Sequence, residues 1–398
     1  MKKNRYIIIP FLIIIFTFFV FNIAFPDKEY SKVENRTLSK RPSLENVDGK
    51  KFSKEYEDYY NDQFVFRDFL IGVNTVTDYI LNKTEVGNYY VVDDNWILGK
   101  FPNTFNEKRL NRYSNAINKL ANVGKIEGKD VYFAMTPHKT NVLKHIYPKY
   151  VETSSIDKNI KGFEDKLNKG FVNYIEMDDY MMNKFSKKEL ESMYFKTDHH
   201  WNAKGAFEGF KRIMGEMDLG ISSENLKNIF NKYSKVTVDS KKFKGSYNKN
   251  ICMVVREKEY PDYFTIKENK NNNNNAEYFL NGEKVKEEDV IATSRHEKEW
   301  DYGGAYSRGA QMNILKIKND DAFSDKKILV IRDSMQGATT WLFRDFFKET
   351  ELVDPRNIKD IKKSYTEIIK ESDADIVLFM FNSSGFDSMI NEMIKKGI

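Results

Sequence analysis

The chain has 398 residues, enough for one large domain with insertions or for two smaller ones. Charged residues make up 31% and hydrophobic ones 40%, and the 64 basic and 59 acidic side chains are interspersed to a net +5 with no long basic block, which argues against a nucleic-acid partner. One cysteine, Cys252, excludes an internal disulfide and a cysteine metal cluster, while 14% aromatic residues leave carbohydrate among the possible ligands.

Met1–Arg5 (MKKNR) is cationic and precedes Tyr6–Phe25, an uncharged and almost wholly apolar run. At about 1.5 Å per residue, a helix of that length spans the roughly 30 Å hydrocarbon core of a bilayer. The positive flank holds the N-terminus in the cytoplasm and puts the rest outside. No small-x-small cleavage site precedes Pro26, so residues 1–25 are expected to be an uncleaved single-pass anchor in the cell membrane rather than a signal peptide.

Residues 26–105 read as an extracytoplasmic stalk (SKVENRTLSKRPSLENV), a helical stretch (KKFSKEYEDYYNDQFVFRDFL) and a hairpin at Tyr89–Ile97 turning at Asp93–Asn95. Residues 106–398 carry an α/β rhythm. Glu107–Val123 is a helix, Asp130–Thr136 a buried strand leading to Pro137-His138-Lys139, Asp157–Asn168 a helix and Phe171–Met177 a strand. Short helices at Asp178–Phe185 and Lys187–Ser192 lead to the string YFKTDHHWNAKGAF, after which Asn202 caps a helix to Leu219. A β-rich insertion is expected at about 228–309, including an exposed asparagine tract (Asn271–Asn275) and a glycine-rich loop (Tyr302–Gly309). The rhythm returns with the strand Lys327–Arg332, a tight turn at Asp333–Gly337, a helix Ala338–Lys348 and a strand Glu351–Asp354. A helix Asn357–Ser372, the apolar strand Asp375–Phe381 and a final helix follow. Alternating strands and helices imply a parallel sheet covered on both faces.

Two of the five histidines are adjacent in TDHHW. In an extended segment Asp198 and His200 project to one side, so the carboxylate can fix one ring nitrogen and leave the other as a base. His199 is then expected to point away from His200, and Trp201 to pack. Ser334 follows one buried strand and precedes a helix, where α/β sheets present groups at the carboxyl ends of their strands. Its hydroxyl is the candidate nucleophile and its amide a candidate oxyanion donor. The plainer role for such a serine is a helix N-cap. Asn382 follows another buried strand and is a candidate second oxyanion donor, with a turn residue as the alternative. Lys139, Arg356 and His138 are candidates for the substrate rim, although Asp354 and Arg356 in VDPR also make sense as a turn-shaping pair.

The strings TDHHW, IRDSM, LVDPR and DIVLFMF resemble the DHHW protein family, itself similar to membrane-anchored SGNH-hydrolase-like proteins that O-acetylate bacterial polysaccharides such as alginate. The resemblance covers most of the chain after the anchor, including ENRTLSKRP and YYNDQFVFRDFL. It implies an SGNH-hydrolase-like (flavodoxin-like), three-layer α/β/α fold in circularly permuted motif order. Ser334 then matches the nucleophile, His200 the general base and Asp198 the orienting acid. Arg332 stands where these enzymes have the glycine of GDS, and a bulky cation there is expected to narrow the oxyanion pocket. The implied activity is acetyl transfer to, or removal from, a cell-surface polysaccharide, with a multi-spanning membrane acyltransferase as donor and no cofactor. Two rivals remain: a non-catalytic scaffold that binds glycan or an assembly partner, and a metal hydrolase using Asp198, His199 and His200. The second lacks a partner ligand motif such as HExxH, so no metal is expected.

Overall fold

The computed structural model describes residues 2–31, 36–43, 49–238, 242–266, 275–290, 299–306, 314–356 and 362–398. The chain divides into two compact units, Met1–Tyr89 with Asn248–Val255, and Tyr90–Tyr247 with Arg256–Ile398.

The first unit contains helices α1 (Lys2–Ala24), α2 (Gly49–Gln63) and α3 (Arg67–Ile80). Within α1, Tyr6–Ala24 has a mean hydropathy of 2.8 and none of it is buried, so it is long and apolar enough to cross a membrane. The helical stretch expected next is present but broken between α2 and α3. Phe66 sits at the break with φ 61°, a left-handed conformation that strains an aromatic residue. Ring contacts with Phe18 and Phe21 of α1 and with Phe25 just after it hold it there. Residues 32–35 and 44–48 of the expected stalk lie outside the described residues.

The second unit is built on one sheet. In chain order it runs α4 (Glu107–Ile126), β1 (Asp130–Thr136), α5 (Ser155–Glu164), β2 (Asn173–Ile175) and α6 (Ala203–Glu216). Strands β3 (Glu277–Leu280), β4 (Glu283–Val285), β5 (Ile314–Lys318) and β6 (Ser324–Arg332) follow. It ends with α7 (Thr340–Phe346), β7 (Phe347–Val353), α8 (Tyr365–Glu371), β8 (Ile376–Asn382) and α9 (Phe386–Lys396). The strand order is β4-β3-β5-β7-β6-β8-β1-β2.

Period-two alternation sends successive side chains of each central strand to opposite faces. Val131, Phe133, Leu329, Ile331, Val377 and Phe379 pack with α4, α5, α8 and α9 on one face. Tyr132, Ala134, Ile328, Val330, Leu378 and Met380 pack with α6 and α7 on the other. This is the expected three-layer α/β/α arrangement. Strands β7, β6, β8, β1 and β2 are parallel, as expected. The sheet as a whole is mixed, because β5 pairs antiparallel with β7 and carries β3 and β4 beyond it. The sequence of β5, ILKIK, carries basic residues at alternate positions, which suits a half-buried antiparallel strand rather than one covered on both faces. Among the described residues, the expected insertion puts β3 and β4 in the main sheet and forms two separate pairs, antiparallel at Tyr233–Thr237 with Asp262–Ile266 and parallel at Lys242–Phe243 with Glu299–Trp300.

Several boundaries and elements differ from expectation. Strand β7 starts at Phe347, shortening the preceding helix, and Tyr302–Tyr306 forms a helical turn rather than a loop. The helix expected over Asn357–Ser372 is observed as α8, and residues 357–361, like 271–274 of the asparagine tract and Gly309, lie outside the described residues.

Candidate active site

Register sets the site. Arg332 pairs with Met380 and Asn382 with Thr136, so the carboxyl ends of β6, β8 and β1 lie side by side. Just beyond them come Ser334, Ser383 and His138. Opposite, residues 194–201 form a tight loop closed by a bridge between Tyr194 and Trp201. Asn202 then caps α6 by accepting from the Lys204 and Gly205 N–H groups.

In this loop His200 Nδ1 lies 2.6 Å from Asp198 Oδ1, and His200 Nε2 lies 2.7 Å from Ser334 Oγ. The Asp198 carboxylate also accepts from the His200 N–H at 2.9 Å and, through its other oxygen, from the Ser246 N–H at 2.6 Å. Burial would raise the Asp198 pKa, but the electrostatic influence of the adjacent His200 and His199 rings and the hydrogen bonds from the His200 ring and the Ser246 amide hold it well below the usual carboxylate range. Asp198 therefore stays ionised while only 1% exposed. Among the described residues, the Ser334 N–H meets no acceptor.

His199 does not diverge from His200. The segment is a bent loop, not an extended strand, and the two rings lie with centroids 3.7 Å apart. His199 Nδ1 is 2.8 Å from Ser246 Oγ, and burial together with the neighbouring His200 pushes its pKa well below that of a free imidazole. Donor atoms of Asp198, His199 and His200 lie within 4.8 Å of one another, a spacing a metal ion could use. Both Asp198 oxygens and both His200 ring nitrogens are already engaged by one another, Ser246 and Ser334. Trp201 packs as expected, fully buried, and its indole N–H donates to the Met335 carbonyl at 2.9 Å.

Asn382 is not aimed at the nucleophile as expected. Its side-chain amide donates to Asp333 Oδ2 at 2.6 Å, and its N–H donates to the same oxygen at 2.7 Å. Asp333 in turn caps the 334–339 turn by accepting from the Met335 N–H at 2.9 Å. The buried carboxylate is the nearer and stronger acceptor, so Asn382 fixes the turn that carries Ser334.

Lys139, expected on the substrate rim, is fully buried and donates to the Phe195 and Lys196 carbonyls at 3.0 and 2.9 Å. Burial pushes its pKa down to about 7 against the pull of Glu259 and Asp198. Glu259 grips the other side of the same strand of chain, accepting from the Lys196 and Thr197 N–H groups at 2.6 and 3.0 Å. The pair clamps the backbone immediately before Asp198. His138 is also buried, with its Nδ1 accepting from the Thr140 N–H, and burial lowers its pKa to about 3.

Arg332 is engaged by an acidic partner inside the fold. Its guanidinium is fully buried and lies 3.4 Å from Asp354 Oδ2. Arg356 chelates the same carboxylate at 2.9 and 2.6 Å, so the VDPR pair shapes the turn and compensates a buried charge cluster.

Three contributors come from segments that no motif marked. Ser246 supplies the amide to Asp198, and Gly245 lets it approach: a Cβ there would sit 2.0 Å from the Thr197 carbonyl oxygen. Glu259 completes the clamp. Tyr302 stacks on His200 and donates through its hydroxyl to the Met335 carbonyl at 3.3 Å. A faint signal for the first was the glycine in FKGSYN; none existed for Glu259.

No curated protein matches the chain. Among solved structures, Bacillus cereus PatB1 superposes with a TM-score of 0.60 at 25% identity, over 75% of this chain and 97% of that one. The same protein with a sulfonyl adduct gives 0.62 at 24% identity, over 77% and 99%. A DHHW family protein from Eubacterium siraeum DSM 15702 gives 0.56 at 17% identity, over 77% and 96%. The resemblance carried by TDHHW and the IRDSM turn agrees with these likenesses. Residues 94–331, more than half of the chain, match the SGNH hydrolase-like domain of the acetyltransferase AlgX, and the chain belongs to that family.

Proposed function

We propose that this protein is a membrane-anchored, extracytoplasmic O-acyltransferase or esterase, with acetyl as the acyl group and a cell-surface polysaccharide as its substrate. The observation that carries this reading is the unbroken relay Asp198–His200–Ser334, with contacts of 2.6 and 2.7 Å. Membership in a family named for an acetyltransferase supports the acyl group.

Ser334 Oγ attacks the acyl carbonyl while His200 Nε2 takes its proton, and Asp198 on Nδ1 stabilises the imidazolium. The Ser334 N–H faces the developing oxyanion. The leaving group departs with the proton from His200. A sugar hydroxyl or water then gives its proton to His200 and attacks the acyl-enzyme, and His200 returns that proton to the departing Ser334 Oγ. Residues 1–25 anchor the chain, 26–105 connect, and 106–398 form the catalytic domain with an insertion at about 228–309. A multi-spanning membrane acyltransferase supplies acyl groups from the cytoplasm.

The test is to offer the purified chain in detergent a chromogenic acetyl ester, with Ser334→Ala beside it, and to map acyl or sulfonyl adducts by mass spectrometry. Ester cleavage that depends on Ser334, with the mass increment on its peptide, is expected. Equal rates for the two proteins would overturn catalysis and leave a glycan-binding scaffold.

A further inference from the structure

Helix α3 turns an apolar face away from the protein. Phe69, Val73, Val76 and Ile80 are 67, 48, 38 and 69% exposed, and Leu70 and Leu81 are 40 and 63% exposed. At about 100° per residue these side chains share one arc of the helix. The opposite side is the packed one, where Thr75 is buried and Gly72 lies against Cys252. A contiguous apolar face of this kind is uncommon on a surface that meets only water.

Contacts with α1 fix the level of this face. The Val65 N–H donates to Asn22 Oδ1 at 2.8 Å, Phe64 stacks on Phe18 at 5.5 Å, and the Phe66 ring meets Phe18, Phe21 and Phe25. These partners occupy the last turns of the apolar helix; at 1.5 Å per residue, Phe18 lies about 9 Å before Ala24. Asp68 already accepts from Lys28 Nζ and Ser31 Oγ, beyond the end of α1, so α3 leaves the apolar helix rather than running back along it. Tyr56 and Tyr60, 45 and 46% exposed, line a cavity of about 430 Å³ with Phe19, Ile23 and Phe25 at the same level. Tyrosines are enriched where acyl chains give way to headgroups.

We infer that α3 is an interfacial helix: its Phe69–Ile80 face lies in the outer leaflet, among headgroups and upper acyl chains, as a second membrane contact beside α1. The inference rests on α1 being the membrane span. Two contacts would stop the first unit from spinning about its anchor.

The full chain, reconstituted in phosphatidylcholine vesicles with acyl chains brominated near the headgroup or near the terminal methyl, tests this through tryptophan quenching. Val73→Trp reports on α3 and Ile13→Trp on the middle of α1, each against the unsubstituted chain. Val73→Trp is expected to be quenched about twofold more by the shallow bromines than by the deep ones, and Ile13→Trp the reverse. Quenching of Ile13→Trp alone overturns the inference and leaves the anchor standing. Quenching of neither overturns both. An unquenched Val73→Trp together with disulfide-linked dimers of Val73→Cys would assign the face to a second copy of the chain, which also overturns the inference.

Discussion

The ring of Tyr302 lies flat on the imidazole of His200, with centroids 3.6 Å apart and planes 6° from parallel. The stack covers one face of the ring that bridges Asp198 and Ser334. Tyr302→Leu should lower kcat about tenfold while leaving KM nearly unchanged, since a stacked aromatic pair is worth roughly 0.5–1.5 kcal/mol. Tyr302→Phe keeps the stack, loses the bond to the Met335 carbonyl, and should fall by about threefold. Steady-state kinetics on the acetyl ester separate the two.

Asp198→Asn should leave the fold intact and reduce kcat by about 10³–10⁴-fold, because an amide on Nδ1 favours the wrong tautomer. An Asp198→Asn chain that retains wild-type kcat at neutral pH would count against the relay.

Gly245→Ala should affect activity through geometry alone. The added methyl meets the Thr197 backbone, which cannot yield as a flexible side chain would. We expect a loss of about 1–3 kcal/mol in stability and at least about tenfold in kcat, as the Ser246 N–H is drawn off Asp198. Thermal melts and rates on the same preparation check both.

Lys139→Met should be among the most destabilising changes in the second unit. It leaves the Phe195 and Lys196 carbonyls without their donor and Glu259 without its compensating charge. Leaving a buried hydrogen-bonding group without its partner costs about 1–3 kcal/mol. Adding Glu259→Gln to Lys139→Met should recover part of that loss, which a double-mutant cycle of denaturation midpoints would measure.

Buried Asp178 gives a pH signature. It accepts from Asn141 Nδ2 at 2.6 Å and Ser383 Oγ at 3.1 Å, and burial raises its pKa to about 7. Between the ordinary carboxylate value and that raised one, the folded chain holds a proton that the unfolded chain has lost. Stability from this group is therefore complete at low pH and is lost as pH climbs toward 7. Asp178→Asn copies the protonated acid, so its stability relative to the parent should grow by about 3 kcal/mol from pH 4 to pH 7. A difference that stays flat over this window would sink the assignment.

The relay was legible in sequence because its parts obey local rules. Asp198 and His200 are two residues apart, and Ser334 sits on a turn between a buried strand and a helix. The strands β1, β6 and β8 were legible because each contains an unbroken apolar run. Ser246, Glu259 and Tyr302 were not, since their roles exist only after segments far apart in the chain have met. Lys139 and Asn382 were misplaced for a related reason: type and position marked them as polar groups near the strand ends, but their nearest partners were backbone carbonyls and the Asp333 carboxylate. The expectation for His199 failed because it assumed an extended backbone where the Tyr194–Trp201 bridge closes a loop.

Acid and base share one short, doubly clamped loop, whereas the hydroxyl arrives on a different strand end. The site thus resembles two rigid jaws, tied together where the Trp201 indole and the Tyr302 hydroxyl grip one carbonyl, that of Met335. Such a device has a single adjustable dimension, the gap between the jaws. A molecule that wedges them apart by an ångström would break the contact between Ser334 and His200 without touching either side chain.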